Sequence, residues 1–177
     1  MFWYTKVMNL HIYNHHLTLN YPIHTAHSII TERPTLLIQL ETEHGHFWSE
    51  APGFISDSYL PETNQSLLTR WQDSAATVLT AFKEGRVAEY LDTVQDEPIF
   101  RYSIDALYVQ WQAANQQRSF FDFIGSNERL VDGSAMLGIL PTVDDYNSRL
   151  AAIKAAGYNG LKLKVNPESF DLVSQVI

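Results

Sequence analysis

The 177 residues carry 12 Lys plus Arg against 20 Asp plus Glu, a formal charge of −8, with 45% hydrophobic and 12% aromatic residues. Such a composition buries a core and excludes a disordered chain, and an acidic balance without a basic patch excludes nucleic acid and anionic membrane surfaces as partners. With no cysteine there are no disulfides or thiolate metal sites. No stretch reaches the roughly 20 apolar residues of a membrane span or shows a secretory signal, so the expected compartment is the cytoplasm.

In chain order, the first fifty residues read as strands. Leu17-Thr18-Leu19-Asn20-Tyr21 alternates, Thr35 to Leu40 is an apolar run after Pro34, and Gly45 supplies a turn before Phe47-Trp48-Ser49-Glu50. Pro22 to Glu32 and Ala51 to Ser58 read as loops around this small antiparallel sheet. From Pro61 the period changes: Leu67, Leu68, Trp71, Ala75, Val78, Leu79 and Phe82 recur at three- and four-residue steps, with Gly85 as the stop. A second helix is predicted from Asp96-Glu97-Pro98, with a capping acid and Phe100, Ile104, Leu107 and Trp111 on one face. A short third helix holds Phe120, Phe121 and Phe123. Residues 1–125 thus read as one α+β domain.

Beyond it the pattern becomes β-α-β-α. Ser134 to Leu140 is a short apolar run, a helix follows through Ala156 to Gly157, Gly160 to Val165 is a second strand, and Asn166-Pro167-Glu168 opens a helix reaching Ile177. This alternation predicts parallel strands, so residues 126–177 read as the first two βα units of an incomplete TIM-type barrel. Two strands leave one face and their edges open. Association of copies through those edges, as a homo-oligomer, is therefore expected.

Lys162-Leu163-Lys164 carries the most chemical information. Period two points both ammonium groups to one side of the strand, about 7 Å apart. Their repulsion favours the neutral amine that a base requires. A K-x-K pair is ordinarily a solvated face; here Leu161, Leu163 and Val165 occupy the other side, in a parallel series whose two faces are normally covered. The histidines His15-His16 and His44-x-His46 are ordinary polar residues of a strand and a turn rather than a metal site. Glu50 reads as a strand-end carboxylate held by backbone N–H groups, and Trp3, Trp48, Trp71 and Trp111 as core or interface.

Gly157-Tyr158-Asn159-Gly160-Leu161-Lys162-Leu163-Lys164-Val165 resembles the second barrel strand of the enolase superfamily, in its muconate-lactonizing subgroup, and Gly133 to Gly138 is similar to that subgroup's first strand. Upstream, Thr31 to Leu40 and Gly45 to Phe54 resemble the strand pair of the amino-terminal cap domain, and Tyr59 to Thr63 the start of its first long helix. The likeness follows the order of nearly the whole chain. Two departures are a missing second glycine before Glu50 and a loose match at Ile104-Asp105-Ala106-Leu107. Within the subgroup, the short cap loops, Ala51-Pro52-Gly53-Phe54 and the compact approach to the first barrel strand resemble the o-succinylbenzoate synthases most.

The resemblance implies a small carboxylate substrate and a carbon–oxygen lyase of menaquinone synthesis. In it a lysine removes a proton next to the carboxylate, the resulting enediolate is stabilised by Mg2+, and hydroxide is lost. Lys164 is the implied base, with Lys162 beside it contacting the substrate carboxylate. Loops holding Ala26-His27-Ser28 and Pro52-Gly53-Phe54 would cover the site and set specificity. The metal's carboxylates and an opposing lysine are implied on later strands, so this stretch alone is expected to be inactive. Related epimerases, racemases and cycloisomerases share the architecture, and a non-catalytic binding module is the rival reading; it gives no reason for two lysines on one inward face.

Overall fold

Alternating side chains build the sheet that opens the chain. In the computed structural model, which describes residues 8–24, 29–56, 60–126 and 131–176, β1 (Asn9–His24), β2 (Ile29–Thr42) and β3 (Gly45–Ala51) form a three-stranded sheet in that order. β2 and β3 are antiparallel, registered from Leu36 opposite Ala51 to Thr42 opposite Gly45. Gly45, at φ 124°, makes the tight return that a Cβ would oppose. Leu36, Ile38 and Leu40 are fully buried, while Gln39 and His46 hydrogen-bond across the opposite face. Most of the segment expected as a loop, Pro22 to Glu32, is strand instead, since β1 continues to His24 and β2 starts at Ile29.

The helices follow the apolar period. α1 (Asn64–Glu84) is capped by the Thr63 hydroxyl, which accepts the Ser66 N–H at 3.1 Å, and ends at Gly85 in the left-handed region at φ 68°. α2 (Val87–Asp92) is a short helix that the periodicity did not reveal, since only Val87 and Leu91 are buried along it. α3 (Pro98–Asn115) lies against β3, and α4 (Phe120–Phe123) is a single turn. Leu67, Trp71, Val78, Phe82, Phe100, Ile104 and Leu107 join the β2 leucines and isoleucine in one core, with Trp71 edge-on to Phe100 at 5.0 Å.

Two local expectations change. Glu97 stands at the N-cap of α3 without capping it, because its carboxylate is taken by Arg70 at 2.6 and 2.8 Å. Trp71 and Trp111 are core, but Trp48 is 46% exposed, stacked on Tyr13 at 5.7 Å, since alternation along β3 turns it away from the core. Trp3 lies outside the described residues.

β4 (Ser134–Leu137) and β5 (Gly160–Leu163) pair in parallel, with α5 (Val143–Ala155) between them. The Thr142 hydroxyl caps α5 by accepting the Asp145 N–H and itself donates to the Asp145 carboxylate, and Gly157, at φ 82°, lets the chain leave the helix. Leu137, Tyr146 and Val173 form a separate small core, with Leu140, Leu150, Ile153, Leu163 and Leu172 around it. The last helix is shorter than expected: α6 is one turn, Phe170–Val173, because Pro167 and the turn through Ser169 delay its start.

The chain divides into two compact units, Met1–Leu17 with Arg33–Asn127, and Thr18–Glu32 with Glu128–Ile177. Among the described residues, no helix is long and apolar enough to cross a membrane.

Candidate functional site

Parallel partners share a face, so the register of β4 and β5 sorts their side chains. Ser134 pairs with Gly160 and Met136 with Lys162, and Met136 is 51% exposed. A Cβ on Gly160 would lie 2.2 Å from the Ser134 Oγ, so a larger residue here would require the Ser134 hydroxyl to rotate aside. Lys162 is exposed. Lys164 is half-buried one residue past the end of β5, and its N–H extends the ladder to the Leu137 carbonyl at 2.9 Å. Both lysines therefore project from the open side of the pair, while Leu137 and Leu163 face the small core. The covered side is smaller than expected. Leu161 and Val165 are 40% and 50% exposed, because the small core gathers around Leu163 and the one-turn α6 covers little.

Two amines on one open face can divide the work on an anionic substrate. One can hold a carboxylate as an ammonium ion, and the other, as the neutral amine, can accept a proton.

In the other unit, Pro52-Gly53-Phe54 is pinned to the start of α1. Gly53 donates its N–H to the Ala51 carbonyl at 3.0 Å, and the Phe54 carbonyl accepts the Asn64 N–H at 2.8 Å. Phe54 and Ile55 are 36% and 67% exposed, so the apolar side chains at this bend face outward. The other expected specificity loop, Ala26-His27-Ser28, lies outside the described residues.

Several other ionisable groups have structural partners. Glu41 accepts from Asn9 at 3.2 Å and lies 3.4 Å from His11, and these hydrogen bonds, Asn9's first, hold its carboxyl below the ordinary range. His46 shares a hydrogen bond with Gln39 at 3.1 Å, and Glu50 accepts from the Thr35 hydroxyl at 2.8 Å rather than from the backbone donors expected for it. Magnesium takes several oxygen ligands, and among the described residues no three His, Cys, Asp or Glu side chains converge to hold a metal ion. The described residues therefore present no ligand set that fits that ion. Sequence reading also missed the Glu62 carboxylate, which accepts backbone N–H groups from α3; a glutamate before a helix carries no local mark of so distant a partner.

No family model and no curated protein sequence matches the chain. Solved structures do. A probable mandelate racemase from Alicyclobacillus acidocaldarius is 22% identical with a TM-score of 0.75, over 97% of this chain and 48% of that one. An enolase-superfamily member from Listeria innocua is 20% identical with a TM-score of 0.76, over 97% and 47%. A dipeptide epimerase from Methylococcus capsulatus, in complex with Mg and the dipeptide L-Arg-D-Lys, is 16% identical with a TM-score of 0.78, over 97% and 50%. The chain has the fold these proteins share, an enolase-like amino-terminal cap domain followed by the start of a TIM-type barrel, and it spans about half their length.

Proposed function

We propose that this chain is the lysine-bearing part of an enolase-superfamily enzyme that removes a proton from the carbon next to a carboxylate. The observation that carries this reading is the pair Lys162 and Lys164 on the open side of β5, beside a parallel β4. In that reaction the Lys164 amine takes the proton and becomes an ammonium ion, and the C–H electron pair moves into the carboxylate. Lys162 pairs with the carboxylate and balances part of the charge that develops on it. Magnesium, where such an enzyme binds it, supplies further charge stabilisation, and no ligand for it is assigned in this chain.

The finer reading is an o-succinylbenzoate synthase. There the proton leaves a ring carbon, hydroxide leaves the neighbouring carbon, and the products are the aromatic acid and water. The short cap loops and the Ala51 to Phe54 segment support it. A second reading, dipeptide epimerisation, is favoured by the similarity to the Methylococcus capsulatus epimerase and to one from Enterococcus faecalis. It requires a second base on the opposite face of the substrate, where the resemblance implies a lysine on a later strand. We also propose that the enzyme is cytoplasmic and forms a homo-oligomer.

The test uses the full-length product of the reading frame that encodes this chain. The cyclohexadiene carboxylate substrate and a panel of dipeptides are incubated in deuterium oxide and followed by NMR. Loss of water from the first supports the synthase, and deuterium next to the dipeptide carboxylate supports the epimerase. The proposal fails if neither substrate class exchanges or reacts at a rate above the enzyme-free control.

A further inference from the structure

Lys164 stands where regular pairing stops. β5 ends at Leu163, the Lys164 N–H makes the last ladder bond to Leu137, and Val165, next in line, is half exposed. A side chain in that position would wander with the loop that follows unless something fixed the loop. Two residues later the backbone is locked. The Ser169 N–H donates to the Asn166 Oδ1 at 2.8 Å, and the Asn166 N–H donates to the Ser169 Oγ at 3.0 Å. The Ser169 hydroxyl in turn donates to the Asn166 carbonyl at 3.2 Å. Pro167 lies inside this closed turn and holds Asn166 away from the helical region. Ser169 is only 7% exposed, and its carbonyl accepts the Val173 N–H at 2.9 Å, so the turn is tied into α6 and the small core.

We infer that Asn166 and Ser169 are positioning residues for Lys164: their reciprocal hydrogen bonds fix the exit of β5 and with it the direction of the lysine amine. This inference rests on the reading of Lys164 as the base. On one side Lys164 is held by the Leu137 carbonyl, and on the other by a turn that closes two residues away. Between those anchors lies only Val165. Proton abstraction depends on reacting atoms held at contact distance, and small displacements of a catalytic group are costly in rate, up to about a hundredfold for 1 Å. Substrate binding through Lys162, inside the paired part of β5, depends on the turn far less.

The experiment compares Asn166→Ala, Asn166→Asp, Ser169→Ala and Lys164→Ala in the full-length enzyme, each checked for fold by circular dichroism. Asn166→Ala is expected to lower kcat by about tenfold with KM changed by less than about twofold, because only the position of the base is loosened. Asn166→Asp keeps an oxygen acceptor for the Ser169 N–H and should restore most of the rate. Ser169→Ala removes the other half of the turn and should match Asn166→Ala; it decides the question if Asn166→Ala does not fold. Should kcat in the folded Asn166 and Ser169 variants stay near wild type while Lys164→Ala is inactive, the positioning role is wrong and the base assignment stands. An active Lys164→Ala enzyme overturns the base assignment and the positioning role with it. Equal losses in Asn166→Ala and Asn166→Asp would also overturn it, since the acceptor would then not matter.

Discussion

Glu62 holds the amino-terminal end of α3: its Oε1 accepts the Phe100 N–H at 2.8 Å, and its Oε2 accepts the Ile99 N–H at the same distance. The first N–H groups of a helix have no partners within it, and a carboxylate there both satisfies them and meets the positive end of the helix dipole. α3 begins with Pro98 and has no cap from its own N-cap residue, so Glu62 supplies what Glu97 does not. Glu62→Ala should therefore lower stability by about 1–2 kcal/mol, and Glu62→Gln by less, since one acceptor survives. Urea unfolding monitored by tryptophan fluorescence measures both; an unchanged midpoint for Glu62→Ala would show that water replaces the carboxylate at no cost.

Gly53 is where the chain after β3 passes the start of α1 most closely. A Cβ at this position would lie 2.5 Å from the Asn64 nitrogen and 2.6 Å from its Cα, both of them backbone atoms that cannot rotate aside. Gly53→Ala must then displace the hydrogen bond from Asn64 to the Phe54 carbonyl, and overpacking of this kind costs about 1–3 kcal/mol. Gly125, at φ 69°, has no atom within 4 Å of its added Cβ and serves as the control, a site with backbone strain and no clash. Thermal unfolding should rank Gly53→Ala below Gly125→Ala. The reverse order would mean that the turn around residue 53 yields easily.

Tyr146 is fully buried, and its hydroxyl accepts the Leu140 N–H at 3.0 Å, fixing the loop between β4 and α5. Tyr146→Phe keeps the ring in the small core and removes only that acceptor, leaving a donor without its partner. The expected loss is about 1 kcal/mol, with faster hydrogen exchange at the Leu140 amide as its local sign. Unchanged exchange at Leu140 would mean that the hydroxyl does not hold the loop.

What was readable in the sequence was what repeats locally. The apolar run from Thr35 to Leu40 marks a strand, and Leu67, Trp71, Val78 and Phe82 mark a helix by steps of three and four; each signal lies within a few residues of the element it predicts. Alternation along β5 also made the face of Lys162 legible, whereas Lys164 lies one residue past the end of the strand, where alternation alone no longer fixes a side chain. The outward position of Trp48 was readable too, because it shares a strand face with the polar His46 and Glu50. Glu62 and Glu97 were not. An acid before Pro98 imitates a cap, and only the fold brings Arg70, 27 residues earlier, to claim it. Partnerships across such separations leave no periodic trace in one sequence.

The chemical prediction separates the two lysines in the full-length enzyme. If Lys164 is the base, Lys164→Ala should lower kcat by about 10²–10⁴, the usual range for losing a general base, with the circular dichroism spectrum unchanged because the side chain belongs to neither hydrophobic core. Lys164→Arg should be as slow, since a guanidinium keeps the charge but does not give up its proton to become a base. Lys162 has a different task, so Lys162→Ala should raise KM more than it lowers kcat, whereas the Lys164 variants should do the opposite. Steady-state rates over a range of substrate concentrations, with deuterium exchange next to the carboxylate as a second readout, distinguish these patterns. A Lys164→Ala enzyme retaining more than about a tenth of the wild-type rate would remove this residue from the mechanism. A Lys162→Ala enzyme that lost kcat to the same extent while Lys164→Ala lost only affinity would exchange the two roles.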